Sequence, residues 1–128
     1  MNVTLESFPK KDYLLIESKG TVETMEELLE HSQMIWEEIR KYGFKKILID
    51  EPGVTFLQDV VPYFNLVKSY VENFPKEINE LKIATVMSEE HIEIGQTWES
   101  LCQSRGLQYF MFTKFDDALN CLTNDDNE

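Results

Sequence analysis

A chain of 128 residues is the size of one ordinary domain, and 42% hydrophobic residues, with eight Phe, five Tyr and two Trp, give it enough apolar bulk for a core of its own. Twenty-four Asp and Glu against twelve Lys and Arg leave a formal charge of −12, which repels nucleic-acid phosphates and anionic headgroups. The densest basic clusters are two-residue steps such as Lys45-Lys46. No apolar run approaches membrane-spanning length, and the opening MNVTLESFPKKDY places charge and proline where a signal peptide needs an apolar stretch, so a cytoplasmic protein without membrane insertion is expected.

Val3 to Leu5 and Tyr13 to Glu17 are short segments rich in Val, Leu, Ile and Tyr on either side of Pro9-Lys10-Lys11-Asp12, which predicts an antiparallel pair ended by Gly20. Thr24 with Glu27 forms a capping box, and Met25, Leu28, Leu29, Ser32, Ile35, Trp36 and Ile39 recur at helical spacing until Gly43. Glu26, Glu27, Glu30, Glu37 and Glu38 fall on the opposite, solvated face, and His31, four residues after Glu27, reads as a surface histidine. Lys46 to Asp50 has the apolar run of a strand buried on both faces, stopped by an acidic pair and the Pro52-Gly53 turn. Val60, Val61, Phe64, Val67, Val71 and Phe74 make the next helical stripe, with Pro62 in the tolerated first turn and Pro75 as the stop. Leu81 to Val86 is a further strand, and Ser88 caps a helix to about Arg105 with Ile94, Trp98 and Leu101 inward and Gly106 at its end. Gly95 inside that helix costs about 1 kcal/mol relative to Ala and marks a close approach to the sheet or to another chain. Tyr109 to Phe112 is the last strand, and Thr113 caps a final helix with Phe115, Ala118, Leu119 and Leu122 inward. Residues 1–123 are expected to form the domain, with 124–128 an acidic flexible tail.

The order β β α β α β α β α predicts a single-domain α/β fold: a mixed, mostly parallel five-stranded sheet with about four helices and an antiparallel first strand. The loops after Asp50 and Val86 then lie at the carboxyl ends of parallel strands, where open α/β sheets bind ligands. Around them stand the polar candidates Asp50, Glu51, Thr55, Gln58, Asp59 and Tyr63, with Ser88 and His91 as a second cluster. Asp59 is placed to cap the following helix. Adjacent strand residues face opposite sides, so Asp50 and Glu51 cannot share one substrate, and Ser88 with His91 lacks an evident oxyanion hole and orienting acid; no catalytic residue is expected. The scattered glycines form no phosphate loop, and Cys102 and Cys121 have no metal-site spacing, so no cofactor and no metal is expected.

IDEPGVTFLQDVV resembles the strand-loop-helix signature of the STAS domain, the family of anti-sigma-factor antagonists and sulphate-transporter tails, with Asp50, Val54, Phe56 and Leu57 matching in type and spacing. KIATV through GLQYFMFTKFDDALNCL is similar to the closing strand and helix of SpoIIAA-like relatives, with Cys121 where Trp is expected. The resemblance covers nearly the whole chain in element order. It implies a non-enzymatic cytoplasmic regulatory domain that docks a protein partner through residues 51–63, with a homodimer possible. It also implies an alternative, a carrier or sensor for a small apolar ligand or lipid in a Sec14-like, aromatic-walled pocket. The Asp-Ser-Ser that antagonists present to a kinase is replaced by Gln58, Asp59 and Val60, so no regulated phosphosite is expected between residues 50 and 64.

Overall fold

Five strands, β1 Asn2–Pro9, β2 Leu14–Thr21, β3 Lys46–Thr55, β4 Lys82–Val86 and β5 Gln108–Phe112, lie side by side in chain order. The computed structural model describes residues 2–73 and 75–123, the side chains of 71, 75 and 76 excepted. The sheet is mixed: β1 runs antiparallel to β2, and β2–β3, β3–β4 and β4–β5 are parallel. Each parallel pair needs a crossover, supplied by α1 Met25–Tyr42, by α2 Val61–Asn73 with the short α3 Pro75–Asn79, and by α4 Ile92–Gln103. α5 Phe115–Thr123 follows the last strand. The fold therefore has five helices among the described residues, one more than the sequence suggests.

Side-chain alternation sorts the sheet into two faces. Leu14, Ile16, Ile47, Ile49 and Ile83 point to the face covered by α1, α2 and α4, where they join Trp36, Ile39, Val67 and Cys102. Leu15, Leu48, Ala84 and Val86 point the other way, against Ala118 and Leu122 of α5. Since the strand order never reverses among the described residues, the sheet has no switch-point crevice of the doubly wound kind.

α1 is built as its sequence predicts. Thr24 Oγ1 accepts from the Glu27 amide at 3.1 Å, Glu27 Oε1 accepts from the Glu23 amide at 2.8 Å, and Gly43 ends the helix at φ 73°. β3 departs from the prediction, for Pro52-Gly53 does not turn the chain and the strand continues to Thr55. The reason lies in its neighbours. β4 pairs with β3 only as far as Asp50, so beyond that residue β3 bonds on one side alone, to β2, and a proline with no N–H is tolerated. Gly20 likewise does not end β2, which runs to Thr21 with Gly20 at φ 134°. A Cβ there would collide with the Asn2 backbone of β1, so glycine marks a close crossing and not a stop.

The stripe predicted for α2 is rotated. Tyr63, Leu66, Val67 and Tyr70 face the core, whereas Val61 and Phe64 are exposed. Both sets satisfy helical spacing, and the aromatic-rich set wins because it meets α1 and α4; the predicted core positions at Val71 and Phe74 fall outside the described side chains. Ser88 precedes a single 3-10 turn, Glu89–His91, and makes no side-chain cap bond. Gly95 does mark a close approach: a Cβ there would lie 2.7 Å from Met87 Sδ and 3.1 Å from Met111 Cε. The predicted flexible tail, 124–128, falls outside the described residues.

Candidate functional site

The extension of β3 decides where Glu51 goes. Continuing the alternation Ile47, Ile49, Glu51 sends its carboxylate under the helices, in line with Ser18 on β2 after Leu14 and Ile16 and with Thr85 on β4 after Ile83. A row of polar side chains thus follows the apolar rows toward the strand ends. Glu51 is 5% exposed, and its Oε2 is, among the described residues, the buried side-chain oxygen without a hydrogen-bond partner. Burial, reinforced by the neighbouring Asp50 charge, pushes its pKa well above the ordinary carboxyl range.

His31 of α1 sits opposite. It is buried, not on the surface as its spacing from Glu27 suggests: the α1 stripe extends sideways to include it, and Glu27 is engaged by the Glu23 amide. Its Nε2 hydrogen-bonds Ser18 Oγ at 3.0 Å and stands 3.6 Å from Glu51 Oε2, too far for a good hydrogen bond. Desolvation lowers its pKa to about 4, so the imidazole is neutral at pH 7 and forms no ion pair with Glu51.

Around these two groups lies a cavity of about 90 Å³ between the sheet and α1, α2 and α4. Its wall is aromatic: Phe56, Tyr63, Tyr70, Trp36, Trp98 and Tyr109 all line it. Trp98 meets Tyr63, Tyr70 and Tyr109 edge to face at centroid distances of 6.0, 5.9 and 5.8 Å. The phenol groups are occupied. Tyr63 donates to the Leu57 carbonyl at 2.8 Å, Tyr109 accepts from Thr85 at 2.6 Å, and Tyr70 hydrogen-bonds Ser32. Burial raises the pKa of each phenol, and it pushes the Cys102 thiol, also in the wall, up to about 12.

Of the residues singled out in the sequence, the structure thus brings Glu51 and Tyr63 together in the cavity. Gln58 and His91, from the two separate clusters, join across the strand ends, Gln58 Nε2 lying 2.7 Å from His91 Nδ1. His91 is buried, not solvated, because Phe56 packs edge-on between it, at 6.2 Å, and His31, at 5.8 Å. Asp59 accepts from the Val61 amide at 3.1 Å and so caps the start of α2 as expected. Asp50 points to the α5 side of the sheet, half-buried, its pKa raised by burial and by Glu17. Thr55 is exposed and Ser88 half-buried, apart from the cavity. Ser18, His31, Ser32, Tyr70 and Tyr109 were not anticipated, although for Ser18 a signal exists in the sequence: a polar residue at an inward position of a period-two pattern.

The fold has relatives among solved structures. An anti-sigma factor antagonist from Mycobacterium paratuberculosis superposes with a TM-score of 0.63 at 16% identity, covering 94% of this chain and 93% of that one. The fold is the SpoIIAA-like, or STAS, fold. An uncharacterised protein from Shewanella loihica, described as having a SpoIIAA-like fold, aligns at 16% identity with a TM-score of 0.47 over 94% of both chains. No family profile and no curated protein sequence matches the chain. On this STAS fold the β3–α2 connection, residues 56–60, carries Phe56 into the cavity while leaving Gln58 and Asp59 outside. Among the described residues no helix is long and apolar enough to cross a membrane.

Proposed function

We propose that this domain is a non-enzymatic, cytoplasmic regulatory module that binds a protein partner through the start of α2. The observation that carries the proposal is a pair of large apolar side chains left in solvent there. Val61 is 60% and Phe64 49% exposed, three residues apart on one helix face and next to exposed Gln58 and Asp59. An aromatic anchor beside a polar rim is the composition of an interface centre. The likeness in fold to an anti-sigma factor antagonist supports a protein as the partner class. Tyr63, buried and bonded to the Leu57 carbonyl, belongs to the interior, and Phe64 takes its place on the contact surface. Self-association through the same patch would make a homodimer. Val60 at the helix start has no oxygen to phosphorylate, so control of this surface does not run through a phosphoserine there.

The test pairs Val61→Glu with Phe64→Glu, both at exposed positions, so circular dichroism should be unchanged. Crosslinking in native cells followed by mass spectrometry identifies the protein captured by the wild type, and titration of that purified protein should show at least a tenfold loss of affinity in the double variant, about 1.4 kcal/mol. Capture and sedimentation behaviour that are both indifferent to the two substitutions would remove this surface from consideration.

A further inference from the structure

The interior cavity holds a polar group that the docking surface does not use. Glu51 Oε2 is buried and without a donor, while the phenols and the imidazole in the wall have partners: Tyr63 with the Leu57 carbonyl, Tyr70 with Ser32, Tyr109 with Thr85 and His31 with Ser18. An unpaired buried acceptor costs free energy, and sequences that retain one usually have a use for it. One ordered water could satisfy it. A water needs only about 10 to 15 Å³ of such space, however, and the cavity offers about 90 Å³, most of it walled by aromatic and aliphatic side chains.

We propose that this cavity is a binding site for a small organic amine, a single-ring or short-chain molecule whose ammonium group meets Glu51 and whose apolar body lies among the aromatic rings. Three observations choose the amine over other polar ligands. No lysine or arginine is among the described residues lining the cavity, and His31 is occupied by Ser18, so a carboxylate or phosphate ligand would find no counter-charge. The free group is an acceptor when ionised, and an ammonium brings it a full opposite charge as well as a donor, which a neutral alcohol does not. Aromatic rings attract a cation through their negative faces, and six of them share this wall with the carboxylate. Burial and the Asp50 charge raise the acid's pKa in the empty cavity, and an ammonium beside it acts in the opposite direction, so binding lowers that pKa and drives proton release to solvent. The other titratable groups about Glu51, His31 from α1, Tyr63 and Tyr70 from α2 and Tyr109 from β5, are neutral at pH 7 and stay so. This inference does not depend on the docking surface.

Both tryptophans of the chain, Trp36 and Trp98, line the cavity, so their fluorescence reports on its contents. The full chain is titrated with benzylamine and butylamine, and with benzyl alcohol, toluene and benzoate for comparison. Benzylamine should change the tryptophan emission saturably and bind at least tenfold tighter than benzyl alcohol, benzoate should not compete, and calorimetry in buffers of different ionisation heat should show net proton release on amine binding. The isosteric Glu51→Gln variant, with unchanged circular dichroism, should bind benzylamine no better than benzyl alcohol and release no proton. The proposal is overturned if neither amine perturbs the tryptophans, if amine and alcohol bind alike in the wild type, or if the amine's advantage survives Glu51→Gln. Should that variant fail to fold, the wild-type ranking of amine, alcohol and benzoate with the proton count still decides the matter.

Discussion

His31 is held neutral between Ser18, Glu51 and the edge of Phe56, at a depth where an imidazolium finds no solvent. Its pKa falls from 6.5 in the unfolded chain to about 4 in the folded one, so the folded state binds the proton less readily. The stability that follows is fully present above pH 6.5 and is lost as pH falls through about 4. The whole loss amounts to about 3 kcal/mol. His31→Gln removes the titration while retaining a partner for Ser18. Urea unfolding at pH 7.5 and pH 4 should show the difference between variant and wild type moving by about that amount in favour of the variant; a difference constant with pH would mean that the imidazole is not desolvated. None of this was legible at residue 31 itself. The pattern Glu27–His31 is a good surface pair by spacing, and only the arrival of β2 and β3 beneath the helix, carrying Ser18 and Glu51, makes the position interior. Asp59 was legible because a cap is a local contact made within two residues of chain.

At the level of elements, the sequence was most informative where the deciding contacts are short-range. α1 shows its start at Thr24, its stop at Gly43 and its inward face in the chain itself, since caps and i,i+4 spacing are properties of neighbouring residues. β3 was misjudged because the end of a strand depends on its partners: Pro52 is tolerated only because β4 has already stopped, and nothing near Pro52 records that. The consequence for the site was large, as the misread turn hid the inward direction of Glu51. Gly95 of α4 tests packing against intrinsic helix preference. Alanine favours a helix by about 1 kcal/mol over glycine, but its Cβ would press on Met87 and Met111, both buried at the ends of β4 and β5, and overpacking of this kind costs about 1 to 3 kcal/mol. Gly95→Ala is therefore expected to lower the urea midpoint, by about 1 kcal/mol in net stability. A raised midpoint would show that the methionines yield and that the glycine is a weakness of the helix alone.

For the molecule as a whole, the formal charge of −12 is a standing repulsion that the fold must overcome. Exposed pairs such as Arg40 with Glu77 and Lys68 with Glu72 contribute little in any salt, so screening of the net charge dominates. Raising sodium chloride from about 10 mM to about 0.5 M, which shortens the Debye length from about 30 Å to a few ångströms, should raise the thermal midpoint; a fall would mean that local attractive pairs outweigh the repulsion. Fold class was legible at this scale because alternating strands and helices leave few topologies, whereas an aromatic-walled pocket was only an alternative that the family resemblance implies and its place was not legible, being a space among six aromatic side chains from five separate elements or loops. The uniform order β1 to β5 also bears on the protein's birth. Every strand lies beside the one before it, so the sheet can grow in the direction of synthesis, each new strand added with its own crossover helix on the same side. The opposite side receives no cover until α5, the last described element, is made; until then Leu15, Leu48, Ala84 and Val86 have no helix to pack against, and the nascent chain is adhesive along that whole face.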